Sequence, residues 1–556
     1  MNENAAAHQP QRIAIWLIML MGIGVEYYLF RRYLLLNIIS NYPAGIDQAN
    51  YLYSSYSLYE NILHKGFISA IYQHPLIPAS FLFPIQAASF FWLFGASRLA
   101  ALSLNFLYFA LLQLMAVGII KARTGHYSFG FLFIGLLLST EIFLNYGNAA
   151  DFRIDFMALC VYGMWVCTVV QSRIFLHKNG TLISSALAIL LISIRFITAT
   201  YIAAISLSCL LYYVYSWCRN KTRNDELQRI KNIFLFGIIV SLFVIPLFWL
   251  HRDLIFSYYV YGHILGPEKW ERAKFAGITN EFSNLLFYPT TFFQIFLTFP
   301  VVMEITLVLF LLAGLYWPWR KAAISPAITQ SAKSDLLFLV MSIVIPLTIL
   351  TFDRSKSSIV SGIIIVPFIL LIVWIYWILI EKITAFLADF QWLEYLIMMF
   401  FLLSGGYHYL KEMRSVQPQN TSLASIKMLI NDVGNYAASA GWKKINAAAD
   451  KYTDFFAAIP AFYYEMHQVL FDFTPAFGAY SQLTVANKQD AFNKIDKINI
   501  FVTNTKKFVP NPFFLFEKSI AAFQPALKEK AVKHMTKLGN YMIYHSDYEV
   551  YVRQTP

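Results

Sequence analysis

Two carboxylates stand where apolar segments of this chain meet polar sequence. Asp47 lies in residues 45–51 (GIDQANY), just past the first long apolar segment, and Asp155 ends residues 151–155 (DFRID), where another apolar segment begins. A carboxylate within hydrogen-bond reach of a hydroxyl or amine can remove its proton as a general base. We therefore take Asp47 and Asp155 as the candidate catalytic residues, with Asp151 as the alternative acid.

Both carboxylates also have a structural explanation. Gly-x-Asp commonly begins turns and helices, so Asp47 could cap the element that follows it. Asp155 could be the N-cap of the apolar helix that begins beside it. The sequence alone leaves these alternatives open.

The elements that must position these acids are membrane-spanning helices. The chain has 556 residues, of which 58% are hydrophobic and 13% charged, whereas soluble domains carry about 25% charged residues. Apolar runs long enough to cross a bilayer recur through residues 1–410, so the predicted fold class is a polytopic α-helical membrane protein. About eleven spans are predicted, over 13–34, 98–120, 128–147, 156–172, 180–194, 199–217, 233–250, 292–316, 335–352, 359–380 and 392–410.

The distribution of charge orients the helices and excludes one class of partner. The net charge of +12 comes from Lys and Arg that are spread over membrane-flanking loops and the C-terminal region without a dense basic cluster, so nucleic acid is not expected as a partner. With the N-terminus in the cytoplasm, the short basic loops face inward, as the positive-inside rule requires. Asp47 and Asp155 then face outward, into the periplasm if the membrane is a bacterial inner membrane.

The four cysteines lie in or beside apolar spans and predict neither a disulfide framework nor a zinc site.

Two regions outside the spans are long. Residues 35–97 form the first external loop, where 50–66 read as an amphipathic helix that rests at the bilayer surface. The apolar run 74–95 contains three prolines, so we predict that it dips into the outer leaflet rather than crossing it. Residues 411–556 have a soluble composition and strand-like runs at 498–503, 541–544 and 549–553, between helical stretches such as 454–470 and 525–538. They predict a small extracytoplasmic α/β domain.

Several motifs occur in a fixed order along residues 10–410. Asp47 is followed by Tyr51 and Tyr53. A His-Pro-Leu at 74–76 then opens an apolar helix that ends in Phe-Gly at 94–95, and Arg98 begins the next span. The acids at 151–155 follow, and Lys356 precedes a span that contains Pro367. This order resembles the GT-C superfamily of polyprenyl-phosphate-sugar glycosyltransferases, notably the aminoarabinose transferase of lipid A and the protein O-mannosyltransferases.

The resemblance implies an inverting glycosyltransferase that moves one sugar from a polyprenyl-phosphate donor to an envelope acceptor. The acceptor would be a glycolipid, such as a lipopolysaccharide component, or a protein. No cofactor is required, although a divalent cation between Asp47 and Asp155 is an open option. His74 departs from the related enzymes, which have a lysine before a proline pair.

The departing phosphate needs cations aimed at its developing charge. The candidates are Arg31, His74, Arg195, Arg252, Arg354 and Lys356. Arg195 interrupts an apolar run, and charges at such places are functional candidates by default, although it could also extend to the bilayer surface, as Arg354 and Lys356 could. The candidates for the sugar and acceptor pocket are Tyr51, Tyr53, Tyr258, Tyr259 and Asp151.

Two other functions fit a polytopic chain with external charges. A transporter or flippase for a lipid-linked substrate would show pseudo-symmetric halves and mid-membrane polar groups, and the sequence has no internal repeat. A polyprenyl-linked glycan polymerase or ligase would also use external arginines, so the sequence does not separate it from a transferase.

Overall fold

The computed structural model of the chain is mostly helical. It describes the following residues: 9–41, 46–73, 79–144, 147–219, 224–266, 268–297, 326–386, 392–416, 422–451, 458–466, 471–473, 488–510, 515–543 and 546–554. The candidate residue His74 lies outside these ranges, as does most of the predicted span 292–316.

Sixteen helices within the described residues precede the C-terminal region. The first eight are α1 (Gln9–Tyr33), α2 (Ile46–Lys65), α3 (Phe67–Gln73), α4 (Leu82–Phe94), α5 (Arg98–Thr124), α6 (Ser128–Leu138), α7 (Ile154–Gln171) and α8 (Lys178–Ile194). The next eight are α9 (Thr198–Arg219), α10 (Asn224–Leu250), α11 (Arg252–Ile255), α12 (Glu268–Phe275), α13 (Glu281–Phe296), α14 (Pro326–Phe352), α15 (Ile365–Phe386) and α16 (Trp392–Arg414). A π-helix (Phe256–Leu265) continues α11, and a 3₁₀ helix (Ser358–Ile364) leads into α15.

The predicted helical membrane fold is confirmed. Among the described residues, seven helices are long and apolar enough to cross a membrane: α1 with the π-helix Leu34–Ile38 that continues it, α5, α7, α9, α10, α14, and α15 with its preceding 3₁₀ helix. Shorter apolar helices are α4, α6 and α8. The most enclosed span is α7, since 89% of its residues are buried by neighbouring parts of the protein.

The first loop contains two of the predicted elements. The amphipathic stretch is helix α2, and the proline-rich run contains α4, which has 13 residues. At 1.5 Å per residue α4 is about 20 Å long, shorter than the hydrocarbon core of a bilayer. This length agrees with a helix that does not cross. One face of α4, including Phe83 and Phe91, is buried against the bundle, while Trp92, Leu93 and Phe94 at its end are exposed.

Helices α6 and α16 cross at backbone contact distance. A Cβ atom added to Gly405 would overlap the carbonyl oxygen of Gly135, and one added to Gly135 would lie 2.6 Å from the carbonyl oxygen of Phe401. Small residues at helix crossings allow such close approach within membranes. This crossing fixes the end of α16 against the residues that follow α6.

We expect Gly405→Ala to lower the thermal unfolding midpoint of the purified protein in detergent. The added methyl group forces the two helices apart, and overpacking of this kind costs about 1–3 kcal/mol. Gly406→Ala is the matched control, because a Cβ at Gly406 meets no atom within 4 Å. Equal midpoints for the two variants, measured by tryptophan fluorescence, would contradict the tight crossing.

The C-terminal region forms the predicted α/β arrangement. Its strands are β1 (Ile445–Ala449), β2 (Phe471–Phe473), β3 (Ile500–Asn504), β4 (Thr536–Ile543) and β5 (Ser546–Val552), and its helices are α17 (Ser422–Ser439), α18 (Ala458–Glu465), α19 (Lys488–Ile495) and α20 (Leu515–His534). The sheet order is β2-β1-β3-β5-β4, in which β1 pairs parallel with β2 and β3 and the remaining pairs are antiparallel.

Alternating side chains divide this sheet between two apolar layers. Ile500 and Val502 pack with α17, whereas Phe501 packs with α19 and α20, as the two-residue period of a strand requires. The predicted helix 525–538 is wrong at its end, because α20 stops at His534 and the chain pairs with β5 from Thr536 onward. The strand pairing of these residues replaces the helical continuation that their composition predicts.

Helix α18 attaches the C-terminal region to α2. The hydroxyl of Tyr56 donates to Glu465 Oε1 at 2.9 Å, and Arg98 Nε lies 3.2 Å from the same oxygen. The Tyr464 ring stacks on Tyr56 with ring centroids 4.7 Å apart, and its hydroxyl donates to Glu60 at 3.2 Å. Burial is the main factor that raises the pKa of Glu465, and the charge of Arg98 opposes it.

Candidate active site

Asp47 lies in the first turn of α2 and forms an ion pair with Arg153. The Asp47 side chain is 41% exposed and that of Arg153 only 6%, so the carboxylate is open to a ligand while the arginine is fixed in the protein. A negative charge in the first turn of a helix is stabilised by the helix dipole. The contact with Arg153 is compatible with both the catalytic and the structural interpretation of Asp47.

The loop that carries Arg153 is held by a second carboxylate. Asp151 Oδ2 accepts the N–H of Gly147 at 2.7 Å, and Asn105 Nδ2 donates to the Asp151 carbonyl oxygen at 3.1 Å. Gly147 has a φ of +84°, a conformation that favours glycine. Burial raises the pKa of Asp151 to about 7, and the Gly147 hydrogen bond opposes the rise. Asp151 lies 3.8 Å from Arg153 Nε.

Asp155 forms the second ion pair, with Arg195. Both side chains are 14% exposed, so the pair lies at the edge of the bundle and not in open water. The N-cap residue of α7 is Arg153, which disfavours the interpretation of Asp155 as the N-cap. The two acid–arginine pairs therefore meet at the beginning of α7. We call the end of the helix bundle that carries Asp47 and Asp155 the acid end.

Arg195 is held by a short strand-like connection. Helix α8 ends at Ile194, and Arg195 adopts an extended conformation, with φ −146° and ψ 104°. On either side of it, the N–H of Phe81 donates to Ser193 O at 3.0 Å and the N–H of Phe196 donates to Ala79 O at 3.1 Å. The segment that precedes α4 thus fixes the backbone on both sides of the arginine.

Three buried or half-buried tyrosines, Tyr201, Tyr259 and Tyr288, lie within electrostatic range of Arg195. These come from α9, the π-helix and α13. Burial raises the pKa of Tyr259, and the charge of Arg195 opposes that shift.

Lys356 packs against one of these tyrosines. Its ammonium donates to the carbonyl oxygens of Leu350, Thr351 and Asp353 at 3.1, 3.0 and 2.5 Å and sits 4.8 Å above the Tyr288 ring. The residue is 5% exposed. Burial lowers the pKa of Lys356 to about 8, and the carboxylate of Asp353 opposes that shift.

The loop before Lys356 connects to the π-helix. His263 Nδ1 lies 2.9 Å from Asp353 Oδ2, and both side chains are 15% exposed. The His263 ring also packs against Tyr258 and Tyr259, with centroid distances of 5.0 and 5.7 Å. This contact holds the π-helix to the 353–358 loop.

Other predicted residues lie at the edge of this cluster or away from it. Arg354 donates to Glu281 at 2.6 Å and lies over the Trp270 ring, with a side chain that is 40% exposed. Arg252 lies over Trp249 and is 60% exposed. Arg31 is exposed in the last turn of α1. Tyr51 is buried against Phe83, with ring centroids 5.3 Å apart. Tyr53 is half-buried and packs between the bundle and the C-terminal region.

Sequence reasoning did not select several residues of this cluster. Arg153 lies between two candidate acids, and that position was the available signal for it. Asp353 precedes two selected cations. Tyr201 and Tyr288 lie in apolar runs, where nothing in the local sequence separates a ligand-facing tyrosine from a core tyrosine.

Asp47 and Asp155 lie apart from the described group of residues that has metal-ligand spacing. Each faces an arginine, which already balances its charge. Among the residues that the structure describes, the group whose His and carboxylate ligand atoms lie within 4.8 Å of one another is Glu141, His408 and Glu412. The residues at Asp47 and Asp155 thus do not favour a divalent ion between them.

Comparison with known proteins finds similar structures but no similar sequences. No protein-family model matches the chain, and no curated protein sequence matches it. The crystal structure of ArnT from Cupriavidus metallidurans bound to undecaprenyl phosphate aligns with a TM-score of 0.54 at 10% identity, over 96% of this chain and 98% of that one. The apo structure of the same ArnT gives a TM-score of 0.53 at 12% identity, over 97% and 98%. This likeness agrees with the resemblance in the sequence, and the chain therefore has the GT-C fold, in a protein built to span the membrane several times.

Proposed function

We propose that this chain is a membrane glycosyltransferase that moves a single sugar from a polyprenyl-phosphate donor to a cell-envelope acceptor. The observation that carries the proposal is the pair of acid–arginine contacts at the beginning of α7, beside a buried lysine, in a chain with the GT-C fold. The bound undecaprenyl phosphate of ArnT supports the same class of donor here.

The proposed reaction divides the site into a base and a phosphate region. Asp47 takes the proton of the acceptor hydroxyl or amine, whose lone pair forms the bond to the anomeric carbon. The bond between that carbon and the phosphate oxygen breaks with its electrons, and polyprenyl monophosphate leaves from the opposite face. Inversion at the anomeric carbon follows from this single displacement. No step requires a metal ion.

The cations stabilise the charge that develops on the leaving phosphate. Arg195 has a planar guanidinium that can contact two phosphate oxygens at once, and Asp155 keeps it oriented towards the site. Lys356 contributes a second positive charge from a poorly hydrated position, where electrostatic interactions are stronger than in water. The tyrosines around Arg195 would contact the sugar.

The test is transfer from a panel of radiolabelled donors in membranes that contain the overproduced protein. The panel includes polyprenyl monophosphate sugars and polyprenyl diphosphate glycans, and membranes without the protein provide the background. Label from a monophosphate donor in a membrane acceptor, with release of polyprenyl monophosphate, is the expected result. Transfer from diphosphate glycans alone would instead establish a polymerase or ligase. Label that crosses the membrane without transfer would establish a transporter.

The buried lysine predicts how transfer depends on pH. Because burial lowers the pKa of Lys356 to about 8, its positive charge is complete below that pH and is lost as the pH rises through it. We expect the KM for the donor to increase above about pH 8 in steady-state assays. Lys356→Arg keeps its charge throughout this range, and its KM should not show that increase. If the KM for the donor increased equally in the wild type and in Lys356→Arg, the pH dependence would belong to another titrating group.

A further inference from the structure

A second polar cluster at the acid end takes no part in the proposed reaction. Glu141 lies in the connection between α6 and α7, and His408 and Glu412 lie one turn apart near the end of α16. His408 Nε2 is 3.6 Å from Glu141 Oε1 and 3.8 Å from Glu412 Oε1. The ligand atoms of all three residues lie within 4.8 Å of one another.

The helix crossing explains why these side chains meet. Gly135 and Gly405 bring α6 and α16 into backbone contact. His408 is nearly one helical turn beyond Gly405, and Glu141 follows the end of α6. The N–H of Glu141 donates to Phe296 O at 3.1 Å, which fixes its backbone. The cluster is therefore held by three separate elements.

The cluster places two carboxylates against each other in a poorly hydrated position. The Glu412 side chain is 9% exposed, and Glu141 is its hydrogen-bond partner. Two carboxylates this close need a proton or a cation between them, because like charges repel and burial penalises a bare charge. The His408 imidazole lies against both carboxylates.

We propose that Glu141, His408 and Glu412 bind one divalent cation of the zinc class. One imidazole nitrogen and two carboxylate oxygens form a donor set that zinc accepts, with a fourth position for water. Ligands at about 2.0 Å in a tetrahedron are roughly 3.3 Å apart, so small side-chain movements would close the present spacing around an ion.

The cation would fix the loop that positions Arg153. Asn148 Nδ2 donates to the Glu141 carbonyl oxygen at 2.6 Å, and the same loop continues through Asp151 to Arg153. An ion at Glu141 would tie the beginning of this loop to α16. The site is distinct from the Asp47 and Asp155 pairs, and its existence does not depend on the proposed transferase activity.

The test measures zinc in the purified full-length protein in detergent. The protein is treated with EDTA, reloaded with ZnCl₂ and desalted, and its metal content is determined by mass spectrometry together with its thermal unfolding midpoint. We expect about one zinc ion per chain and a higher midpoint after loading. Glu412→Gln and His408→Asn should weaken zinc binding by more than about tenfold.

A matched control contacts the same helix at its other end. His126 Nδ1 is 3.2 Å from Glu394 Oε1 at the opposite end of α16, so His126→Asn removes a comparable pair and should leave zinc binding unchanged. Wild-type protein that retains no zinc, or Glu412→Gln that retains as much as wild type, would overturn the proposal. The wild-type result decides this even if a variant does not fold. In that case the two carboxylates would share a proton.

Discussion

Asp47→Asn is expected to reduce sugar transfer by about 10²- to 10⁴-fold, the contribution that general-base catalysis usually makes. The amide has nearly the same shape as the carboxylate but cannot accept the acceptor's proton. The loss should appear in kcat, because the phosphate contacts of the donor involve Arg195 and Lys356. Initial rates in detergent-solubilised membranes, corrected for the amount of protein, measure it.

The control for this variant is Asp253→Asn. Asp253 is 97% exposed and lies 3.7 Å from Arg252, so the substitution removes a similar charge away from the two acid–arginine pairs. Its transfer rate should equal that of the wild type. If Asp47→Asn retained wild-type activity, Asp47 would not be the base, and Asp155 and Asp151 would be the next carboxylates to substitute.

Arg195→Gln is the second substitution with a large expected effect. Removal of one donor that stabilises developing charge lowers turnover by about 10²- to 10³-fold. The substitution also leaves Asp155 without its ion-pair partner at a site where both side chains are 14% exposed. Removing one partner of a buried pair costs about 3–5 kcal/mol, and the partial exposure of this pair places the expected cost below that range.

A double variant separates the two effects. Asp155→Asn combined with Arg195→Gln removes both charges, so much of the lost stability should return while transfer stays low. Thermal unfolding and initial rates, measured on both single variants and the double variant, give the coupling. Recovery of transfer in the double variant would show that Arg195 acts only by balancing Asp155 and not on the donor.

The sequence predicted the helices well because each long apolar run has one stable conformation in lipid. The fold class, the short helix α4 and the C-terminal sheet follow from hydropathy, proline positions and strand-like periods, whereas the predicted span 128–147 contains a helix that ends at Leu138. Helix and strand limits were less accurate. At residues 536–538 the composition favours a helix, but pairing with β5 determines the structure.

The partners of the candidate residues were not predictable in the same way. Asp155 and Arg195 were selected separately, and their ion pair depends on how α7 and α8 pack, forty positions apart in the chain. Arg153 reaches Asp47 only because the loop after α6 folds back towards α2. Tyr201 and Tyr288 become part of the site through tertiary packing. The residue types were visible in the sequence, whereas their distances were not.

Helix α2 joins the Asp47–Arg153 ion pair to the contact with the C-terminal region. Asp47 lies in its first turn. Farther along the same helix, Tyr56 hydrogen-bonds Glu465 and Glu60 hydrogen-bonds Tyr464 of the C-terminal region. With a rise of 1.5 Å per residue, Asp47 and Tyr56 are separated by about 14 Å of rigid rod. The position of Asp47 and the contact with the C-terminal region therefore depend on one continuous helix, so a substitution that shifts α2 at either place would be felt at both.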